Sequence, residues 1–210
     1  MRIINLTRIS EPQSFDRDGA IRTVLEAGGV IVYPTDTLYG LGVDATSEKA
    51  VKRLYALKRR KDSPVSVLLS DVEQLFEMTK ELSDKAVVLI KKFMPGAITV
   101  ICKSGYPFAP QLSSPTGTIG FRVPGDEISR QIPAILGKPI TTTSVNPAGQ
   151  EPAASLKQIL NYYPTEVEII LDRGTLKTSK GSTVIDLSVS PFKILREGEI
   201  SRQALKDFLN

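Results

Sequence analysis

The chain has 210 residues, 41% hydrophobic and 24% charged, the balance of a folded protein with one large core or at most two small ones. Its 27 Lys and Arg exceed 23 Asp and Glu, and the resulting charge of +4 favours anionic partners such as nucleotides or RNA without requiring them. The absence of histidine excludes His-based triads, His-ligated zinc and imidazole bases, and the lone Cys102 excludes an internal disulfide.

The elements alternate helix and strand with short connections. Residues 15–27 read as a helix stopped by Gly28 and Gly29, and residues 30–33 as a strand. Ser47 is placed to cap a helix reaching residue 57, with Val51, Leu54 and Tyr55 facing inward. A strand at 65–69, two helical patterns across 72–93 and strands at 98–102 and 118–123 follow. Between those last two strands, 105–116 is rich in Pro, Ser and Gly and reads as a mobile loop. Residues 126–136 are helical and 140–143 a strand; Ser155 and Gln158 form a capping box for a helix to residue 163. Strands at 167–171, 183–187 and 193–195 and a helix after Ser201 complete the chain. About eight strands and six or seven helices, with no composition break, predict one α/β domain over 1–210. Neighbouring strands such as those flanking 105–116 lack a helix between them, so the sheet is expected to be mixed parallel and antiparallel. No run approaches the ~20 apolar residues of a membrane span, and MRIINLTRIS lacks the apolar core of a signal peptide. A cytoplasmic protein with no membrane partner is expected.

Chemistry concentrates where strands end. VIVYPTDTLYGLG, residues 30–42, places Thr35, Asp36, Thr37 and Tyr39 straight after a buried strand. Within it, GLGVDA matches a dinucleotide fingerprint with Asp62 at the spacing of a ribose contact. Residues 35–39 separate the strand from the first glycine, however, so the glycines read as allowing close backbone approach. ALKRRKDSP, residues 56–64, completes a group of six cations between Lys52 and Lys61. It is either a solvated helix end or a site for a triphosphate or RNA phosphates. ITTTSVNPAG ends a strand in hydroxyls and an amide, neutral partners for a sugar, phosphate or amino acid. Arg122 alternates with Ile119, Phe121 and Val123 along a strand and therefore needs an anion; Arg196 repeats the arrangement near Ser182 and Thr183.

Together, PTDTLYGLG, the K-x-R of Lys58 and Arg60, the S-x-N of Ser144 and Asn146, FRVP, STVIDLS and LREG resemble the YrdC-type threonylcarbamoyl-AMP synthases, in order across about residues 15–200. The resemblance implies a twisted mixed sheet with flanking helices and a concave, positively charged face. It implies synthesis of threonylcarbamoyl-adenylate from L-threonine, bicarbonate and ATP with release of pyrophosphate, for threonylcarbamoyladenosine in tRNA. Thr37 would contact threonine, Tyr39 shape the pocket floor, Arg122 grip the threonine carboxylate and Thr142 lie nearby. Lys58 and Arg60 would act catalytically by holding ATP phosphates, with Arg59 as an alternative. Thr118, Ser144, Asn146, Ser182 and Arg196 would complete the nucleotide site. Mg2+ would be held mainly by the ATP phosphates. Downstream threonylcarbamoyl-transferase proteins are implied as partners, and direct tRNA binding stays open. Asp36 is either the base that neutralises the threonine nitrogen or a turn residue.

Two positions depart from the family pattern. Lys61 stands where members often have proline, and no histidine follows the Ser63-Pro64-Val65 segment, so the role of that histidine is either unfilled or taken by Ser66. The longer members add a second C-terminal domain, and none is expected here. The rival reading is a non-catalytic RNA-binding module using the same basic face.

Overall fold

The computed structural model describes residues 1–8, 15–16, 18–59 and 65–209, apart from the side chain of Arg8. Ten strands form one sheet: β1 (Arg2–Asn5), β2 (Ile31–Tyr33), β3 (Gly40–Gly42), β4 (Ser66–Leu68), β5 (Ile98–Lys103), β6 (Thr118–Arg122), β7 (Ile140–Ser144), β8 (Ile169–Asp172), β9 (Thr183–Asp186) and β10 (Lys193–Arg196). Their order is β1-β8-β2-β3-β7-β4-β6-β5-β9-β10. Parallel pairs join β1 to β8, β8 to β2, β4 to β6 and β5 to β9, and the other pairs are antiparallel. The expected mixed sheet is present, with two strands more than the sequence patterns suggest.

The helices are α1 (Ala20–Glu26), α2 (Glu48–Leu57), α3 (Val72–Met78), α4 (Asp84–Phe93), α5 (Glu127–Leu136) and α6 (Leu156–Tyr162), followed by a 3-10 helix at Arg202–Phe208. Their starts follow the capping residues. Ser47, Asp71, Ser83, Asp126 and Ser155 each accept a hydrogen bond from a backbone N–H in the first turn. The capping box at Ser155 is shifted: the Gln158 side chain accepts from Ala154 N at 2.7 Å, one residue before the cap. Helix α1 is shorter than the pattern suggests, although Phe15 is buried.

The two sheet faces are covered unequally, and this locates the site. On one face Val51 and Leu54 of α2, Leu75 of α3, Ile90 of α4 and Ile159 of α6 pack with Val67, Val100, Phe121 and Ile185 in the larger core cluster. On the other, α1 and α5 bring Ile21, Leu25, Ile132 and Leu136 onto Ile31, Tyr33, Ile140 and Leu171 in a second cluster. That pair of helices covers the β8-β2-β3-β7 half and reaches Leu68 at the end of β4. Side chains alternate across a strand, so the partners of Val100, Phe121 and Ile185 on the second face (Thr99, Ile101, Gly120, Arg122, Val184 and Asp186) line an open cavity. The site is the uncovered half of a sheet face.

Segment 105–116 is tied down. Ala109 N donates to Ala45 O at 2.9 Å, Tyr55 Oη donates to Gln111 O at 2.9 Å, and Leu112 is buried at the end of a 3-10 turn. No helix among the described residues is long and apolar enough to cross a membrane.

Candidate active site

The cavity has a volume of about 770 Å³. Its border with the covered half of the sheet is the turn after β2. Thr35 builds that turn: its Oγ1 donates to Leu38 O at 2.7 Å and accepts from the N–H groups of Thr37 and Leu38 at 3.1 and 3.2 Å. Asp36 and Thr37 are thereby presented to Arg122. One Nη2 of Arg122 donates to Asp36 Oδ1 and, at 2.8 Å, to Thr37 Oγ1. Asp36 Oδ2 accepts from Gly125 N at 2.9 Å. Arg122 is 7% exposed, and its Nε–H has no acceptor among the described residues.

Tyr39 works in the opposite direction. Its hydroxyl donates to Gly174 O at 2.7 Å, lies 3.3 Å from Asp172 Oδ1 and accepts from Arg173 N at 3.0 Å. Burial pushes this phenol up to about 12, so it stays a neutral latch to the turn after β8. Tyr39 lines the cavity, but its polar end is spent on structure.

Thr142 of β7 lies opposite Ser66 of β4 in register, and both line the cavity. Thr118 is joined to Ser114 by a 2.7 Å hydroxyl contact, with Thr116 2.8 Å beyond, and all three residues line the cavity. Across β5 and β9, Arg196 of β10 donates from Nη2 to Ser182 O at 2.9 Å and to its Oγ at 3.2 Å, while Ser182 Oγ lies 2.9 Å from Thr99 Oγ1.

The basic cluster divides. Lys58 is 3% exposed and does not line the cavity; its ammonium donates to Ser144 O and, at 3.4 Å, to Asn146 Oδ1. Ser144 Oγ donates to the same Asn146 oxygen at 2.6 Å, so Lys58 braces the wall from behind through Ser144. Asn146 also lies behind the lining, its Nδ2 donating to Pro147 O and Gln150 O. Arg59 is exposed with φ 51, outside the lining, and Arg60 lies outside the described residues. Lys52 pairs with Glu48 and Arg53 with Glu168, which neutralises part of the helix surface.

This set can bind an anionic, polyhydroxylated ligand at fixed positions. Arg122, Lys180 and Arg196 are the cations on its wall, Glu151 and Asp186 the acids, and hydroxyls supply most of the rest. Residues 23–198 match the Sua5/YciO/YrdC family model, described as telomere recombination. The chain belongs to the Sua5/YciO/YrdC family. It is 32% identical over 205 residues to a putative threonylcarbamoyl-AMP synthase of Methanocaldococcus jannaschii, covering 97% of this chain and 96% of the relative. It is 30% identical over 183 residues to the threonylcarbamoyl-AMP synthase of Pyrococcus abyssi, covering 87% of this chain but only 54% of that protein. The structure of P. abyssi Sua5 complexed with L-threonine superposes with a TM-score of 0.91 at 28% identity, over 100% of this chain and 61% of that one. This chain thus spans a little over half the length of the P. abyssi protein.

Several residues of this Sua5/YciO/YrdC cavity carry no separate signal in the sequence: Ser114, Thr116 and Lys180. SPTGT and SKGST, each a hydroxyl-glycine run entering a strand, are the only marks that could have pointed to them. The same geometry removes the dinucleotide reading. Gly40 and Gly42 are strand residues of β3 and open no helix.

Proposed function

We propose that this chain makes threonylcarbamoyl-adenylate from L-threonine, bicarbonate and ATP, releasing pyrophosphate. One observation carries the reading: a single hydroxyl-lined cavity holds Arg122 with an unpartnered buried N–H at one strand and Arg196 with Ser182 at another. In sheet order β6 and β10 stand three strands apart, roughly 14 Å at ~4.8 Å per strand. That span accommodates an amino acid at Arg122 and a nucleotide reaching toward Arg196. The close likeness to a Sua5 structure complexed with L-threonine supports the amino-acid half.

Threonine places its carboxylate on Arg122 beside Thr37, with Thr142 and Ser66 nearby. Its neutral nitrogen forms a C–N bond to carbon dioxide, which bicarbonate yields by losing hydroxide, and the proton leaving the nitrogen joins that hydroxide as water, giving a carbamate. A carbamate oxygen then bonds to the α-phosphorus of ATP as the bond to pyrophosphate breaks. The exchange at phosphorus requires alignment and charge neutralisation and no protein nucleophile. Lys58 acts by fixing Ser144 and Asn146, while Thr118, Ser182 and Arg196 receive the nucleotide. Held by the triphosphate, Mg2+ would supply neutralisation of its charge. Glu151 and Asp186 are the wall carboxylates able to accept its waters, and no cluster of three or more His, Cys, Asp or Glu gathers among the described residues. The product is a mixed anhydride, so a threonylcarbamoyl-transferase acting on tRNA is the expected recipient. This step itself requires no contact with tRNA.

Pyrophosphate release from ATP, with threonine and bicarbonate each omitted in turn, tests the reading. Release should need both. Release that continues without either would exclude it.

A further inference from the structure

Asp36 lies where a base for the threonine nitrogen would be sought, yet both of its oxygens are already used. Oδ1 receives Arg122 Nη2, and Oδ2 receives the Gly125 N–H at 2.9 Å. Gly125 follows β6 by three residues, so the carboxylate ties the turn after β2 to the strand end that carries Arg122. The Asp36 side chain is 19% exposed and that of Arg122 8%. A buried guanidinium on a flexible stem has many rotamers, and binding geometry is kept only if something holds it.

We propose that Asp36 is a positioning residue: braced on the Gly125 N–H, its carboxylate fixes the Arg122 guanidinium in the orientation that receives the amino-acid carboxylate. This inference deepens the synthase reading and rests on it. It separates two roles that sequence leaves joined, because a base would act on the substrate nitrogen and a brace acts only through Arg122. Asn at position 36 has one acceptor oxygen for the two donors, so it cannot keep both bonds. Alanine at position 125 presses from the other side, since a Cβ there would stand 3.2 Å from Asp36 Oδ2.

The test is steady-state kinetics of Asp36→Asn, Gly125→Ala and Arg122→Ala, varying threonine and ATP separately. Losing one charge-assisted bond should raise the threonine KM of Asp36→Asn about tenfold, with the ATP KM and kcat at saturating threonine each within about threefold of wild type. Gly125→Ala should move the threonine KM in the same direction, and it keeps the proposal testable if Asp36→Asn fails to fold. An unchanged threonine KM in Asp36→Asn overturns the positioning role, and with a collapsed kcat it makes Asp36 the base. An unchanged threonine KM in Arg122→Ala as well would instead overturn the threonine reading itself.

Discussion

Lys58 and Arg122 are both buried cations, and they are satisfied differently. Lys58 is committed to the Ser144 carbonyl and the Asn146 amide oxygen, whereas Arg122 keeps a buried N–H with no acceptor among the described residues. A buried donor left unpaired costs free energy that a bound carboxylate can recover. Arg122→Ala should therefore weaken threonine binding by about tenfold to a hundredfold while ATP binding changes little, as read by calorimetry. Lys58→Ala should weaken ATP binding by a similar ~1.5–3 kcal/mol, because the Ser144 wall loses its brace. Lys52→Ala and Arg53→Ala, whose partners are exposed, should change it by under about 0.5 kcal/mol. Equal, strongly salt-dependent losses at all three lysine and arginine positions of this helix would favour the RNA-binding alternative. Cys102 is buried, and desolvation pushes its thiol up to about 12. At pH 8 it should react with a thiol reagent only as fast as the chain unfolds.

At the scale of elements, the readable parts were those whose residues act locally. Caps, apolar periodicity and β-branched runs marked each α-helix and most strands because each signal lies within a few residues of its effect. β3 was hidden because its glycines are explained only by a partner strand. A Cβ at Gly40 or Gly42 would stand 2.7 or 2.8 Å from the Tyr33 ring, which lies across them and donates from Oη to Thr141 O. β1 was hidden because it sits at the sheet edge, mostly exposed, with no buried alternation to read. The site shows the same limit. Thr37, Arg122, Thr142, Ser182 and Arg196 were legible through the resemblance, but the committed hydroxyl of Tyr39 and the bracing role of Lys58 depend on elements far away in sequence. LREG shows how an element governs the site. A Cβ at Gly198 would meet Gly181 O at 2.2 Å, a backbone clash that no rotamer relieves. Gly198→Ala should separate β10 from residues 181–182 and lower ATP affinity by more than about tenfold, with threonine affinity retained. Calorimetry with each ligand checks the split.

For the whole molecule, a sheet face half covered by α1 and α5 explains why one fold offers both a stable core and a wide polar floor. Three buried phenols belong to that core. Burial raises Tyr33, and Tyr39 and Tyr163 are pushed up to about 12. Because the folded state holds these protons more tightly than the unfolded chain, their stabilisation is complete below pH ~10 and is lost as pH rises toward 12. Urea midpoints should accordingly fall between pH 10 and 12. The central claim is that the polar floor joins three substrates into one product. Mass spectrometry of a reaction containing 13C-bicarbonate, threonine and ATP tests it most directly. An adenylate carrying both threonine and the labelled carbon should form, with its yield collapsing in Arg122→Ala. ATP consumed without a labelled threonine adenylate would contradict it.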